Sequence, residues 1–158
     1  MVFQLSQFWI IFLDISVWVV IHLGISYLCS LIPLNKFNTE NCWYSTKKFE
    51  YKGNIYIGFF KIKKWKHLVP DGAKLFKNGF PKKKLQSCSP EYLEAFMLET
   101  CRGELTHWMQ LLPAGIFFLW NIWWAGIIMI VYALCVNIPC ILLQRYNRAR
   151  LQKVLDKI

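Results

Sequence analysis

Charged side chains are missing from two long stretches of this chain. No Asp, Glu, Lys or Arg lies between residues 105 and 143, and Asp14 is the one charged residue before Lys36. Uncharged stretches of this length are atypical of a soluble domain and typical of segments that cross a membrane. Acidic residues are also few, 9 against 19 Lys and Arg, so the formal net charge is +10. The pattern favours an integral membrane protein with a basic polar part.

The cysteines lack the spacing of a metal site or of a disulfide framework. None of the six forms a C-x-x-C pair, and Cys29, Cys135 and Cys140 fall inside apolar runs. We therefore predict free thiols in a reducing compartment. Glu104 and His107 form one Glu-x-x-His motif, but a di-iron bundle needs that motif twice, so we predict no metal.

The basic residues flank the apolar stretches. Residues 34–104 hold 14 basic and 7 acidic side chains, and residues 145–158 hold 5 and 1. A basic chain can bind nucleic acid, but basic residues beside membrane spans typically face anionic lipid headgroups. Because positive charge is retained on the cytoplasmic side, both segments are predicted to be cytoplasmic and the N-terminus outside. We thus expect a multi-pass protein of the cell membrane, with lipids and no nucleic acid among its partners.

The predicted fold is all-α, with three transmembrane helices and a basic interfacial segment that contains amphipathic helices. Residues 8–34 can cross about 30 Å of hydrocarbon. Asn121, between tryptophans, is the predicted turn between spans at about 105–120 and 122–143. The divisions are a first transmembrane helix at 1–34, a cytoplasmic or interfacial segment at 35–104, a transmembrane hairpin at 105–143 and a basic tail at 144–158.

Residues 44–66 carry two competing patterns. Part of the segment alternates as in a hairpin, whereas Ile55, Phe59 and Ile62 keep helical spacing. Lysines are interleaved with large aromatic side chains there, as in helices that lie on a lipid surface. We predict an amphipathic helix over about 54–66, and a hairpin is the open alternative.

A long helix is predicted to begin at Ser89, which can cap it ahead of Pro90. It should continue into the second span and carry Glu104 and His107 on one inward face, because residues three apart share a helix face. Ionisable residues at the entry to a membrane span are costly to keep there and indicate function. The second span starts and the third ends at the same interface, so we expect this pair to lie level with residues 144–148.

Three segments carry a family resemblance. They are KKWKHLVPDG at 63–72, ETCRGELTHW at 99–108 and NIPCILLQRYNRARL at 137–151. In this order they resemble the glycosyl-4,4'-diaponeurosporenoate acyltransferase family of small bacterial membrane proteins, over about residues 60–158. The resemblance implies an O-acyltransferase that esterifies a sugar hydroxyl of a glycosylated carotenoid acid or similar glycolipid, the step that completes staphyloxanthin. It implies an apolar glycosylated acceptor, acyl-CoA or acyl-carrier protein as thioester donor, and no cofactor.

Acyl transfer from a thioester to a hydroxyl needs a base for the proton and donors for the oxyanion. We predict His107 as the base, with Glu104 orienting its ring and stabilising its charged form. Tyr146 and Asn147 are the predicted oxyanion donors. These roles come from the chemistry that each side chain offers.

Six further residues are predicted to bind substrate. A guanidinium fork suits phosphate, so the two arginines among them are expected to hold a phosphate of the donor. Anchoring at the cytoplasmic end of the third span is the alternative account of the same arginines. The six are Arg145, Arg148, Lys66, Trp65, Asp71 and Gln144.

A non-enzymatic membrane subunit is the alternative function. In that case the hairpin would pack against a larger transporter or synthase, and the basic segment would dock it. Three spans bury a small core, so a homodimer or a membrane partner is compatible with either hypothesis.

Overall fold

The computed structural model describes residues 6–69, 72, 79–82 and 85–158. Helices account for all the regular structure in these ranges, and no β-strand occurs within them. The all-α prediction is therefore confirmed. The hairpin alternative for residues 44–66 is wrong, because the regular structure of this segment consists of short helical turns.

The first helix, α1, spans Gln7–Ser30. Most of its surface exposes large apolar side chains, and one stripe faces protein instead, with Asp14 and Trp18 buried. Among the described residues, two helices are long and apolar enough to cross a membrane, α1 and α5, Trp123–Leu155. Two such helices indicate membrane association, but the expected number of transmembrane helices was three.

The second predicted span, residues 105–120, is not one continuous α-helix, and the cause is local. Helix α4, Pro90–Leu111, begins as predicted, with the Ser89 hydroxyl accepting a hydrogen bond from the Tyr92 N–H at 3.3 Å. It passes directly into a 3₁₀-helix, Leu112–Leu119. Pro113 has no N–H, and its ring clashes with the carbonyl four residues earlier, so α-helical geometry cannot continue. Residues 105–120 thus do not form a single α-helix.

Helix α5 follows a turn at residues 120–122, which confirms Asn121 as the turn. The helix does not end near residue 143. It continues to Leu155, and the predicted basic tail is mostly its last three turns. Those turns pack on the first half of α4, where Leu151 joins Phe96 and Met97 in a buried cluster. The polar end of α5 is thereby held against protein.

Helix α1 lies antiparallel beside α4 and the 3₁₀-helix along their shared path. Three polar contacts join α1 to this path, one at each end and one in the middle. The contacts are Arg102 Nη1 to the Ser30 carbonyl at 3.3 Å, Gln110 Nε2 to Ser26 Oγ at 3.0 Å, and Trp120 Nε1 to Asp14 Oδ1 at 2.7 Å. The composite path therefore lies beside α1 from Ser30 to Asp14, about two thirds of that helix.

The basic segment folds back on the end of α5 through two short helices, α2 (Asn54–Gly58) and α3 (Ile62–Trp65). The predicted continuous helix over 54–66 is interrupted at Lys61, whose φ of 48° is left-handed. Gly53 has φ 87°, and a Cβ there would lie 2.8 Å from the Ala149 Cβ. A glycine is required at this point because the turn and α5 touch backbone to side chain.

Candidate active site

Glu104 lies between two arginines of α5. Its Oε1 accepts a hydrogen bond from Arg145 Nη1 at 2.8 Å, and its Oε2 is paired with Arg148 Nη2. The carboxylate is 2% exposed. The sequence placed these three residues at one level correctly, although about forty positions separate them.

Glu50 is the second carboxylate of this cluster. Arg145 Nε lies 2.9 Å from its Oε1, and 3.2 Å from the Tyr56 hydroxyl. Burial raises the pKa of Tyr56 to about 12, so its hydroxyl stays protonated. Sequence reasoning missed Glu50, although it is the one acidic residue between Glu40 and Asp71 in a strongly basic segment. Its isolation among basic residues is the sequence feature that could have identified Glu50 as a partner of the arginines.

The two arginines that are predicted to bind phosphate form ion pairs and hydrogen bonds within the protein instead. Two guanidinium groups face two carboxylates, so the cluster has no formal net charge. Arg145 also donates to the carbonyls of Trp43 and Ser45, at 3.0 and 3.3 Å, and Arg148 donates to that of Tyr44 at 2.9 Å. The arginines therefore fasten the 43–45 loop to the two long helices. A donor phosphate would have to displace one of these contacts.

His107 does not contact Glu104, so the predicted orienting pair is corrected. The imidazole Nδ1 lies 2.9 Å from Asn137 Oδ1 and 3.2 Å from Gln110 Oε1. An ionised carboxylate is attracted far more strongly to nearby guanidinium groups than to a neutral imidazole. Glu104 therefore turns to the arginines. His107, about one turn further along α4, binds the neutral amides of Gln110 on α4 and Asn137 on α5.

These amides determine which nitrogen of His107 carries the proton. The Asn137 amide nitrogen donates to the Ala133 carbonyl at 3.0 Å, and that of Gln110 donates to Ser26 Oγ. Both amides must then present an oxygen, an acceptor, to the imidazole. Nδ1 is the donor, and Nε2 keeps the lone pair that a general base requires.

Gln144 faces the same seam between α4 and α5. A Cβ on Gly103 would lie 3.1 Å from Gln144 Cδ, so this glycine makes room for the amide. Gln144 Oε1 is buried and has no hydrogen-bond partner within the described residues. Gly103 and His107 are four residues apart on α4 and share one face. Gln144 and His107 are therefore about one turn apart along one seam.

The other predicted site residues lie elsewhere. Tyr146 projects about 200° around α5 from Gln144, and it packs against Tyr56 and Ile62. It cannot share a reacting carbonyl with His107, so its oxyanion role is corrected. Lys66 Nζ lies 6.0 Å from the centre of the Tyr146 ring.

Three of the predicted residues remain. Trp65 Nε1 donates to the Phe60 carbonyl at 2.9 Å, beside the same aromatic cluster. Asn147 is half-buried on α5, and no hydrogen bond from its side chain occurs within the parts of the chain that are described. Asp71 lies outside the described residues.

The Cys101 thiol is poorly suited to nucleophilic catalysis. Burial raises the pKa of the Cys101 thiol, which is fully enclosed beside Arg148. A buried thiol of this kind is inert. Among the described residues no group of three or more His, Cys, Asp and Glu side chains could hold a metal ion.

Comparisons with known proteins agree on one family. The sequence profile of the glycosyl-4,4'-diaponeurosporenoate acyltransferase family matches residues 40–157. A protein of that name from Staphylococcus aureus (strain MRSA252) is 35% identical over 138 residues, 87% of this chain and 83% of its own length. Proteins of the same name from strains bovine RF122 / ET3-1 and N315 are 34% identical over the same shares. No solved structure matches the chain.

The match covers most of this chain and most of each relative, and it includes both long helices of the candidate site, α4 and α5. The resemblance of the three sequence segments is confirmed. The chain therefore belongs to the glycosyl-4,4'-diaponeurosporenoate acyltransferase family and is an acyltransferase.

Proposed function

We propose that this acyltransferase moves a fatty acyl group from a thioester donor, acyl-CoA or acyl-carrier protein, to a sugar hydroxyl of a membrane-held glycosylated carotenoid or similar glycolipid. The relatives' name supports the glycosylated acceptor. Two long apolar helices beside the site support an acceptor with an apolar body. The observation that carries the proposal is His107, whose Nδ1 is fixed as a donor and whose Nε2 keeps its lone pair.

His107 supplies the proton transfers. Nε2 takes the proton of the sugar hydroxyl as its oxygen attacks the thioester carbonyl carbon. The carbon–sulfur bond then breaks, and the leaving thiolate takes the proton from the imidazolium. Asn137 accepts from Nδ1–H throughout, so it holds the ring in place while the charge on the ring changes.

Gln144 positions the sugar. Its buried Oε1 has unused hydrogen-bonding capacity, which is costly unless a ligand donor satisfies it. A sugar offers several hydroxyl groups within a few ångströms of each other. One hydroxyl binds Gln144 while a neighbouring hydroxyl faces His107, and Asn147 contributes a further polar group at the same end of the seam.

The site opens toward the cytoplasmic leaflet in this proposal. Residues 102–120 lie beside α1 from Ser30 to Asp14, so α4 and the 3₁₀-helix together form a third crossing. A 3₁₀-helix rises about 2 Å per residue against 1.5 Å in an α-helix, so the composite covers roughly the same depth as a regular span. With basic segments inside, the N-terminus is outside and the end of α5 is cytoplasmic.

The test is His107→Ala, with His67→Ala as the control, because His67 is exposed and lies outside the seam. Membranes containing each variant receive labelled acyl-CoA and a glycosylated carotenoid acceptor, and the acyl ester is measured by mass. Removing a general base should lower the rate roughly 10²- to 10⁴-fold. The His67 variant should keep the rate of the natural protein. Full ester formation by His107→Ala would show that another group is the base.

A further inference from the structure

A pocket opens on the side of α5 opposite the acyl-transfer seam, where α2 and α3 meet the end of that helix. Its volume is about 380 Å³. Five basic side chains and one tyrosine line it, and no carboxylate does so within the described residues. These are Lys52, Lys63, Lys66, Arg150, Lys153 and Tyr146.

Within the described residues, no acidic side chain neutralises the positive charge of this pocket. None of its five basic side chains forms an ion pair anywhere in the described ranges. Lys153 Nζ donates to the neutral Asn54 Oδ1 at 3.1 Å. Arg145 and Arg148, one helix face away, each have a carboxylate partner. Clustered like charges repel one another, so an anion in the pocket would relieve that repulsion.

Three residues in or next to the wall of the pocket have a disfavoured backbone conformation. Tyr51 and Lys52 have φ of 47° and 52°, and Lys61, just before α3, has φ of 48°. Left-handed conformations are uncommon for residues other than glycine, and they persist where the surrounding structure imposes them. Here Gly53 wedges the turn against Ala149, which points Lys52 toward the pocket.

Large apolar side chains surround the same segment on its open side. Phe49, Tyr51 and Phe59 are 64%, 71% and 77% exposed, and Ile57 lines the pocket itself. Exposed aromatic residues beside lysines are typical of a surface that enters the headgroup layer of a membrane. The acyl-transfer seam faces α4, so a donor phosphate bound here would lie on the wrong side of α5 from His107.

We propose that this pocket binds the phosphate headgroup of an anionic phospholipid in the cytoplasmic leaflet. Lysine and arginine contact the phosphodiester, and the aromatic rim sits among the upper acyl chains. Basic pockets at the cytoplasmic ends of membrane helices are suited to such headgroups. The site is distinct from the acyl-transfer seam, and its occupancy can be measured without catalysis.

The test compares two double variants of equal charge. Lys63→Gln/Lys153→Gln removes two pocket lysines, whereas Lys64→Gln/Lys157→Gln removes two exposed neighbours that do not line the pocket. The full-length protein in detergent is titrated with phosphatidylglycerol and phosphatidylcholine, and bound lipid is counted by native mass spectrometry. The pocket variant should bind phosphatidylglycerol roughly thirtyfold more weakly, about fivefold per lysine. The control should bind as the natural protein does.

Coenzyme A provides the second arm, because it carries phosphate without lipid. Its binding should be equal in the natural protein, the pocket variant and the control. Weaker coenzyme A binding in the pocket variant, with unchanged phosphatidylglycerol binding, would reassign the pocket to the donor and overturn the lipid proposal. Equal losses of phosphatidylglycerol in both double variants would also overturn it. Should the double variant fold poorly, Arg150→Gln alone gives the same comparison with one charge removed.

Discussion

Glu104 compensates two buried guanidinium groups, so its charge should matter to stability more than its shape. Glu104→Gln keeps the volume, leaves Arg145 paired with Glu50 and removes the carboxylate partner of Arg148. Removing one partner of a buried ion pair typically costs about 3–5 kcal/mol of unfolding free energy. Thermal unfolding in detergent should show a large fall in midpoint.

Glu94→Gln is the matched control for that measurement. Glu94 is an exposed residue of the same helix, and substitutions at such positions usually change stability by less than about 0.5 kcal/mol. Equal midpoints for the two variants would mean that water or another group compensates the arginines.

Asn137 acts on His107 as a positioning residue. Asn137→Leu removes the nearer acceptor of the Nδ1 proton and leaves only Gln110 Oε1 at 3.2 Å, so the ring is held less firmly and can rotate. We expect kcat to fall roughly tenfold to a hundredfold, less than the 10²- to 10⁴-fold expected for loss of the base itself. Asn137→Asp keeps an oxygen at the same place and should retain more activity than Asn137→Leu.

Acyl-ester assays of both Asn137 variants should show kcat changing with little change in KM for the acceptor. If the two variants lose activity equally, or if KM changes instead of kcat, the hydrogen bond to Nδ1 is structural only. Their unfolding midpoints, measured alongside, separate loss of folding from loss of positioning.

Residue spacing predicted the inward face of Glu104 and His107, and the depth at which Glu104 meets the end of α5. The same depth was wrong for His107, which lies beside Asn137, seven residues before Gln144. It could not predict their partners. Partners across a helix seam depend on which charges arrive from distant segments, and Glu50 comes from a turn that no local pattern reveals. The carboxylate of Glu104 pairs with two arginines more strongly than it would with a neutral imidazole, so it does not orient the ring of His107.

At the scale of elements, Gly53 decides whether the basic segment can lie against α5. Gly53→Ala would place a Cβ 2.8 Å from that of Ala149, in a backbone with φ 87°. Left-handed strain and overpacking together should cost roughly 2 kcal/mol or more. Thermal unfolding in detergent measures this cost.

Gly58→Ala is the control, because no atom lies within 4 Å of a Cβ there and the residue belongs to α2. It should be neutral or stabilise by up to about 1 kcal/mol. A Gly53 variant as stable as the Gly58 variant would show that the turn can move away from α5 without cost.

Element boundaries with local signals were predictable, and the others were not. Ser89 caps α4 and Asn121 turns the chain, because capping and turn formation depend on the residues at hand. Pro113 rules out a continuous α-helix, and the residues after it form a 3₁₀-helix whose Ala114 and Phe117 pack among side chains of both α1 and α5. The extension of α5 beyond residue 143 likewise depends on α4, which supplies partners for its polar side chains.

At the scale of the whole molecule, the number of crossings determines which side each end occupies. If only α1 and α5 cross the membrane, α4 and the turn before α5 lie on the same side of it, and the C-terminus lies outside. With the composite path of residues 102–120 as a third crossing, the turn at Ile122 lies outside and Lys157 inside. The proposed third crossing rests on the contacts from Ser30 to Asp14, because a segment that lies beside α1 over this length would cross a membrane together with it.

Cysteine labelling distinguishes the two arrangements. Ile122→Cys and Lys157→Cys are made separately in a chain whose six natural cysteines are replaced, and both positions are exposed. A membrane-impermeant maleimide should label Ile122→Cys in intact cells, and Lys157→Cys only after permeabilisation. A chain retaining Cys135 alone is the control. That thiol is exposed in the middle of α5, so it should react in detergent and stay unreactive where lipid surrounds it. Labelling of Lys157→Cys in intact cells would mean that the chain crosses the membrane twice and that the polar end of α5 lies outside, which contradicts the third crossing.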